Sequence, residues 1–386
     1  MTTRSSSWAL AVLLSGSLAA YAWGCSSPPG KKNAPLGDDA TEDAGAPAAD
    51  ASLDAAKESG IVGAADIDGD GYTTDNGDCD ESDPLVNPGA FEYVGNGRDD
   101  DCDGQIDNPY VDCDQGEALD PKNPKHAALA MNICPAKFVL EATYAKAAPE
   151  QRAIRKALGP IKPRSGKSML MLSTGKALAP GESGFVPPGS GSLFGLTAPR
   201  PVPYADNPKC PKASDKVVHD LADLQLSLRA PTNAHALRFD IRFLSGEYPT
   251  YYCSQFNDAF GAIMQSSKYP TPKNVSHDQN GEFLSVNVAF WTTCVNIAGS
   301  YQGCKEAPSA VDGSGFGAGD PGGPHGATSW VTTTVPVTPG EKISLRLAIW
   351  DEGDDALDSV VLLDAFSWDI HPTDKDLETT VPDDPK

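Results

Sequence analysis

The C-terminal half of the chain alternates apolar and polar residues with a period of two, which is the pattern of β-strands that bury one face. The clearest apolar positions are Leu224, Leu226 and Leu228; Leu237, Phe239, Ile241 and Phe243; and Ile343, Leu345, Leu347 and Ile349. Runs rich in β-branched and aromatic residues lie at 259–264, 283–291, 330–337 and 360–370. About eight or more strands with Gly- and Pro-rich connections predict a jelly-roll-like sandwich of two sheets from residue 168 onward.

The residues before these strands predict a connecting segment at 110–165 that is partly helical. Phe138–Leu158 is rich in Ala, Lys and Glu, which favour a helix, apart from Pro149. Cys113 and Cys134 lie in the same segment. A disulfide between them is plausible but cannot be deduced, because eight cysteines leave the connectivity open.

The first 24 residues have the organisation of a secretory signal, with Arg4 ahead of the apolar stretch Trp8–Ala22. That stretch is shorter than the about twenty residues that a membrane-spanning helix needs. Residues 22–25 (AWGC) resemble a bacterial lipobox, in which the cysteine is lipidated, although Ala22 stands where leucine is usual. Ordinary cleavage after Ala22 is the alternative. Lipidation of Cys25 would leave eight of the nine cysteines, an even number suited to disulfides in an oxidising compartment.

We therefore expect an exported lipoprotein that is anchored in the outer membrane through its N-terminal lipid alone, at the cell surface or on the periplasmic face. Residues 25–63 are rich in Ala, Gly, Pro and Asp and predict a disordered tether. Residues 372–386 predict a disordered tail.

The acidity of the chain is concentrated in one short stretch. The 386 residues carry a formal net charge of −23, which argues against nucleic acid as a partner. Residues 66–107 alone contain twelve Asp and two Glu against the single base Arg98. A charge that only keeps a protein soluble would be spread over the surface, so this concentration indicates a cation site.

Two loops in this stretch have acids at their first, third and fifth positions, DIDGDG at 66–71 and DDDCDG at 99–104. Calcium binds six to eight oxygens, and alternate residues of a tight loop converge on one point. An EF-hand would require Glu at the twelfth position, where Gly77 stands, so these are calcium loops without that fold. The stretch contains no His, which favours calcium over zinc. A disordered acidic linker is the alternative.

These loops, together with GDCD at 77–80, NPGAFE at 87–92 and NGRDDDCDG at 96–104, resemble the MopE-type metal-binding motif of secreted bacterial proteins over residues 64–109. The resemblance implies a small calcium-dependent module in which Cys79 pairs with Cys102. The ligands that it implies are Asp66, Asp68, Asp70, Asp78, Asp80, Asp83, Asp99, Asp101, Asp103 and Asp107. We add Asp75 to these candidate ligands because of its position in the sequence. The expected fold class is thus mainly β, with the sandwich preceded by a disulfide-linked calcium-loop module and a short helical segment.

The segments FLSGEYP at 243–249, FNDAFG at 256–261 and IWDEGDDALDS at 349–359 resemble motifs of the choice-of-anchor L domain of bacterial surface proteins, over residues 168–371. Gly246 stands where the family's F-x-S-E-E-Y-P motif has its first Glu. If these acidic clusters meet at one edge of the sandwich, they form a second candidate metal site made of Glu247, Asn257, Asp258, Asp351, Asp354 and Asp358. Alternatively, these side chains cap turns at strand ends. Sequence proximity suggests the disulfides Cys210–Cys253 and Cys294–Cys304.

No catalytic residues are predicted, because the chain contains no H-E-x-x-H and no complete G-x-S-x-G. The function that we expect is a non-catalytic, calcium-binding surface lipoprotein that adheres to or binds an unknown ligand, such as a glycan or extracellular matrix, through its sandwich. A carbohydrate-active hydrolase on a calcium-stiffened stalk is the alternative. Exposed aromatic residues beside a groove would favour glycan binding. The candidates are Trp291, Trp330, Tyr251 and Tyr252, although core packing is the expected role of the two tryptophans.

Overall fold

The structure is a computed structural model. It describes residues 64–108, 113–114, 118–201, 210–211, 217–278, 281–288, 290–293, 306–323, 325–370 and 377–381. The signal, the tether, the lipidation site Cys25 and the expected pair Cys294–Cys304 lie outside these residues. Within them, no helix is long and apolar enough to cross a membrane.

The described chain forms two antiparallel sheets, as the sequence predicted. The first sheet has the strand order β1-β5-β13-β7-β8, with β4 beside β5 and β9 beside β7. Its strands are β1 Val139–Thr143, β4 Thr197–Pro199, β5 Val217–Arg229, β7 Ala259–Gln265, β8 Lys273–Asn274, β9 Leu284–Ser285 and β13 Lys342–Asp351.

The second sheet has the order β10-β11-β6-β14-β3-β2, with β12 paired to both β6 and β15. Its strands are β2 Arg152–Arg155, β3 Met169–Ser173, β6 Ala236–Ser245, β10 Trp291–Thr293, β11 Gly326–Thr328, β12 Val331–Pro336, β14 Ser359–Asp369 and β15 Glu378–Thr380. Among the described residues there is one α-helix, α1 Pro124–Ala130, and short 3-10 helices span Thr74–Asn76, Ala136–Phe138, Pro149–Gln151, Pro188–Ser190 and Pro308–Val311.

The apolar core lies between the two sheets and is built from the alternating positions of the sequence. In the first sheet Leu226 lies opposite Leu345 across β5 and β13, and in the second Ile241 lies opposite Leu363 across β6 and β14. All four side chains are at most 2% exposed and belong to one buried cluster that draws on both sheets. Each such side chain stabilises the fold by roughly 1.5–3 kcal/mol relative to exposure, so this core fixes how the strand ends are arranged.

The helix expected over Phe138–Leu158 is wrong. This segment forms β1, which pairs with β5, and β2, which pairs with β3, so it adds one strand to each sheet. Phe138 is buried in the core, and the pairing of these strands with their neighbours outweighs the weak helical preference of the segment. The α-helix lies earlier, at α1, where Asn123 caps its first turn by accepting a hydrogen bond from the Lys125 amide.

The acidic residues from 64 to 108 form a small module of turns that packs on the sandwich. The Cys79–Cys102 disulfide closes it, as expected. On the sandwich side, the Thr232 amide donates to the Gly89 carbonyl at 3.0 Å, and the Thr232 hydroxyl donates to Asn87 Oδ1 at 2.7 Å. The structure also contains the disulfides Cys113–Cys134 and Cys210–Cys253.

Candidate metal centres

The first acidic loop folds back on itself around the Asp66 carboxylate. Asp66 accepts hydrogen bonds from the amides of Gly69 at 2.7 Å and Gly71 at 3.0 Å. Both glycines have positive φ, +83° and +93°, a conformation that disfavours side chains with a Cβ. The turn brings carboxylate oxygens of Asp66, Asp68 and Asp70 within 4.8 Å of one another.

Two carboxylates of this loop, and a third further along the module, each keep one oxygen that is buried and has no hydrogen-bond partner. These atoms are Oδ2 of Asp68, Asp70 and Asp78. Their Oδ1 atoms accept from the amides two residues further on. Desolvation, followed by the charges of Asp70 and Asp78, raises the pKa of Asp68. Buried polar atoms are rarely left unpaired, so this donor set fits a hard cation bound at the loop.

A second group joins Glu92, Asp99 and Asp101, whose carboxylate oxygens also lie within 4.8 Å of one another. Glu92 is only 3% exposed, and burial raises its pKa. Its carboxylate accepts from the amides of Asp100 and Asp107, each at 3.0 Å. Glu92 was not predicted as a ligand; its signal was its place at the end of NPGAFE.

The other predicted ligands of the module lie outside both groups and hold its turns together. Asp75 accepts from the Ala64 amide at 2.7 Å. Asp80 and Asp83 pair with Arg98 at 3.3 and 2.8 Å. The two remaining carboxylates accept local hydrogen bonds, Asp103 from the Gln105 amide and the Asn108 side chain, and Asp107 from the Gly95 and Asn96 amides.

The acids of the sandwich meet at one end of the two sheets. In the first sheet, Asp258 precedes β7 and Asp351 ends β13, and the adjoining residues Ala259 and Trp350 pair across these strands. In the second sheet, Glu247 follows β6 and Asp358 precedes β14. Each of the four acidic side chains is at most 4% exposed. We call these four residues the sandwich cluster.

Asp258 lies at the centre of the sandwich cluster. Its backbone amide donates to Glu247 Oε2 at 3.3 Å, and its Oδ2 accepts from the Ser359 hydroxyl at 2.6 Å. Burial raises the pKa of Asp258 to about 8 and that of Asp358 to about 7. Burial also raises the pKa values of Glu247 and Asp351 well above their usual range, because the charged forms are removed from water.

Two of the predicted sandwich ligands lie beside this cluster. Asn257 Oδ1 accepts from the Asn287 amide at 2.9 Å, and Asp354 Oδ1 accepts from the Ala356 amide at 3.2 Å. Asp358 Oδ1 accepts from the Ser192 amide at 2.9 Å, which is the capping role considered for these acids.

A cleft lies where the module meets the sandwich. Tyr93 and Ile370 line two cavities of about 210 and 490 Å³. Arg98 and Asn233 also line the smaller one, and Arg238 the larger one. Tyr93 is 40% exposed, so the cleft combines an accessible aromatic ring with polar side chains.

The aromatic residues that the sequence suggested for ligand binding lie elsewhere. Trp291 is 1% exposed and stacks on Tyr248, with ring centroids 3.9 Å apart. Trp330 and Tyr252 are partly buried against the core, whereas Tyr251 is 38% exposed.

Comparison with known families agrees with both segments that the motifs singled out. Residues 210–369 match the family described as "Choice-of-anchor L domain", and residues 78–108 match the family described as "Putative metal-binding motif". No curated protein matches the chain. The two matches indicate a cell-surface or exported protein that carries a metal-binding motif.

Proposed function

We propose that this chain is a non-catalytic, calcium-binding lipoprotein of the cell surface, anchored in the outer membrane through Cys25, that binds an extracellular ligand. The observation that carries the calcium assignment is the set of three buried, unpartnered oxygens on Asp68, Asp70 and Asp78. All are carboxylate oxygens, the donor type that calcium prefers, and the module supplies no imidazole for a softer metal.

Calcium would add to the Cys79–Cys102 disulfide in holding together a module with little regular secondary structure. The module contains no strand and only one short 3-10 helix. Six of its carboxylates form the two groups described above, and within each group their oxygens lie within 4.8 Å of one another. Carboxylates at such short range repel unless a cation neutralises them. Bound calcium therefore supports the surface through which the module contacts the sandwich.

The ligand site that we favour is the cleft between the module and the sandwich. A saccharide would place a sugar face on the exposed Tyr93 ring and its hydroxyls near Arg98 and Asn233, which is how aromatic and polar residues combine in ligand sites. Because Tyr93 and Arg98 belong to the module, binding in this cleft would depend on calcium.

The burial of the sandwich cluster argues against the hydrolase alternative. Asp258 and Asp351 have raised pKa values suited to acid catalysis, but each is only 1% exposed. A substrate cannot reach these carboxyl groups, whereas a general acid must contact the atom that it protonates.

Calorimetric titration with calcium tests the metal assignment. Asp70→Asn removes a ligand of the first loop, and Asp75→Asn removes the same charge outside both groups. We expect Asp70→Asn alone to lower calcium binding and to expose residues 64–108 to protease. Equal calcium binding by both variants and the wild type would refute the assignment.

A glycan array read with calcium and with a chelator tests the ligand site. We expect binding to be lost with the chelator and in Tyr93→Ala, and to persist in Tyr251→Ala, which removes an exposed tyrosine outside the cleft lining. Absence of glycan binding by the calcium-loaded protein, or loss of it in Tyr251→Ala only, would reject the cleft as a glycan site.

A further inference from the structure

The second acidic loop, residues 99–104, repeats the turn of the first. Asp66 and Asp99 open the two loops, and each accepts a hydrogen bond from the amide of the glycine five residues further on, Gly71 at 3.0 Å and Gly104 at 2.9 Å. Both glycines have positive φ, +93° and +90°. The two loops therefore hold their acids in a similar way, and they differ in what those acids contact.

The carboxylate oxygens that are open in the first loop are taken by protein groups in the second. In the first loop, Asp68 and Asp70 each keep a buried Oδ2 atom without a hydrogen-bond partner. The residues at the same positions of the second loop are Asp101 and Asp103. Asp103 Oδ2 accepts from the side-chain amide of Asn108 at 2.8 Å, and Asp101 Oδ2 is paired with a cation.

That cation is the ammonium group of Lys137, which reaches the module from the sandwich. Lys137 lies in the 3-10 helix Ala136–Phe138, directly before β1. Its Nζ lies 3.2 Å from Asp101 Oδ2, donates to the Pro88 carbonyl at 3.1 Å and lies 5.3 Å from the centre of the Phe138 ring. The Asp101 side chain is only 7% exposed, so water screens this pair less than it screens a surface pair. Three contacts thus hold a positive charge at the second loop.

The first loop has no such partner among the described residues. None of the ion pairs formed by those residues includes Asp66, Asp68 or Asp70. Arg98, the single base of the module, pairs with Asp80 instead. The open oxygens of the first loop therefore need a cation from solution, whereas the chain itself supplies one to the second loop.

We propose that the ammonium group of Lys137 occupies the cation position of the second loop, so that the module binds one calcium ion, at the first loop. The inference rests on the calcium binding proposed above and adds the number of ions and the residue that excludes a second one. A divalent ion bound by Asp101 would lie next to the ammonium group, and two cations repel strongly at such short range. Lys137 thus determines which loop takes calcium, and it pairs the module with the sandwich by a charge that does not depend on calcium.

The calcium stoichiometry of the full chain, measured by equilibrium dialysis, tests this proposal. The wild type should bind one equivalent and Lys137→Met two, because methionine keeps an apolar stem and removes the charge. Lys137→Gln keeps a donor for the Pro88 carbonyl and should also bind two, so it gives the answer if Lys137→Met fails to fold. Lys137→Arg keeps the charge and should bind one. Lys162→Met removes an exposed lysine elsewhere and should match the wild type.

A first-loop variant separates this proposal from the calcium assignment of the first loop. Asp68→Asn/Asp70→Asn should bind no calcium, and adding Lys137→Met should restore one equivalent, which Asp101→Asn then removes. Two equivalents in the wild type, or no gain in the uncharged Lys137 variants, would overturn the proposal. A wild type without bound calcium would refute the assignment of the first loop, whereas a gain of one equivalent on loss of the Lys137 charge would still support its role at the second.

Discussion

The side chain of Asn233 makes two hydrogen bonds to the backbone of Phe91. Its Oδ1 accepts from the Phe91 amide at 2.9 Å, and its Nδ2 donates to the Phe91 carbonyl at 2.7 Å. This pairing imitates one rung of a β-ladder, and it connects the sandwich to the centre of the acidic module across 142 positions of sequence. The contact lies next to the cleft that we propose as the ligand site.

Asn233→Ala should therefore loosen the module from the sandwich. The substitution removes both hydrogen bonds that the Asn233 side chain makes to the Phe91 backbone, at a cost of about 1–3 kcal/mol in the free energy of unfolding. Asn233→Asp keeps the acceptor but places a carboxylate oxygen against the Phe91 carbonyl in a buried position, so it should also be destabilising. Urea unfolding measures the stability of the two variants, and limited proteolysis measures how firmly the module is held on the sandwich. Equal stability of Asn233→Ala and the wild type would show that the pairing contributes nothing.

Stability should fall between about pH 4 and pH 7 through Asp364. This side chain is fully buried, and burial raises its pKa from 3.8 to about 7. The folded state therefore binds a proton that the unfolded state has already released, so the contribution is complete below pH 3.8 and is lost as pH rises through 7. The slope of this one group is at most about 1.4 kcal/mol per pH unit.

The change of stability with pH, rather than the stability at one pH, tests the assignment to Asp364. Asp364 accepts hydrogen bonds from the amides of Ser165 and Ala365, and an Asn in its place can preserve only some of them. Asp364→Asn should thus be less stable at acid pH but show a flatter dependence on pH. Parallel stability curves for the variant and the wild type would mean that another group titrates.

Gly175→Ala should destabilise the end of the sandwich through Asp358. The added methyl would overlap the Asp358 carboxylate and force it to move, at a cost of about 1–3 kcal/mol. Asp358→Ala removes the atoms that the added methyl would overlap. Gly175→Ala should therefore cost less stability in the Asp358→Ala background than in the wild type. A double-mutant cycle by chemical unfolding measures the coupling, and additive effects would exclude the overlap.

Cys25→Ala should abolish incorporation of a radiolabelled lipid precursor in cells. The lipobox-like residues 22–25 and the odd number of cysteines both motivate this prediction. The wild-type chain should carry the label and fractionate with the outer membrane. An unlabelled wild type, or undiminished label in the variant, would favour ordinary cleavage after Ala22.

Much of the fold was predictable because its signals are local. The alternation at 343–349 or 237–243 identifies a half-buried strand without reference to its partners, since successive side chains point to opposite faces. Acids at every second position of 66–71 likewise predict, from a few neighbouring residues, that their carboxylates converge, and they do. The segment at 139–155 was predicted wrongly because its structure is not decided locally. Its strands depend on pairing with β5 and β3, which are separate segments of the chain.

The sequence by itself determined the class of fold and the two segments in which acids concentrate. Only the tertiary structure decided which acids meet. Asp75 and Asp80 lie in the same module as Asp68 but bind an amide and Arg98, whereas Glu92 joins Asp99 and Asp101. In the sandwich, strand register brings Asp258 beside Asp351, 93 positions away in the chain. Carboxylate groups act through space over a few ångströms, so their partners follow from packing rather than from spacing in the sequence.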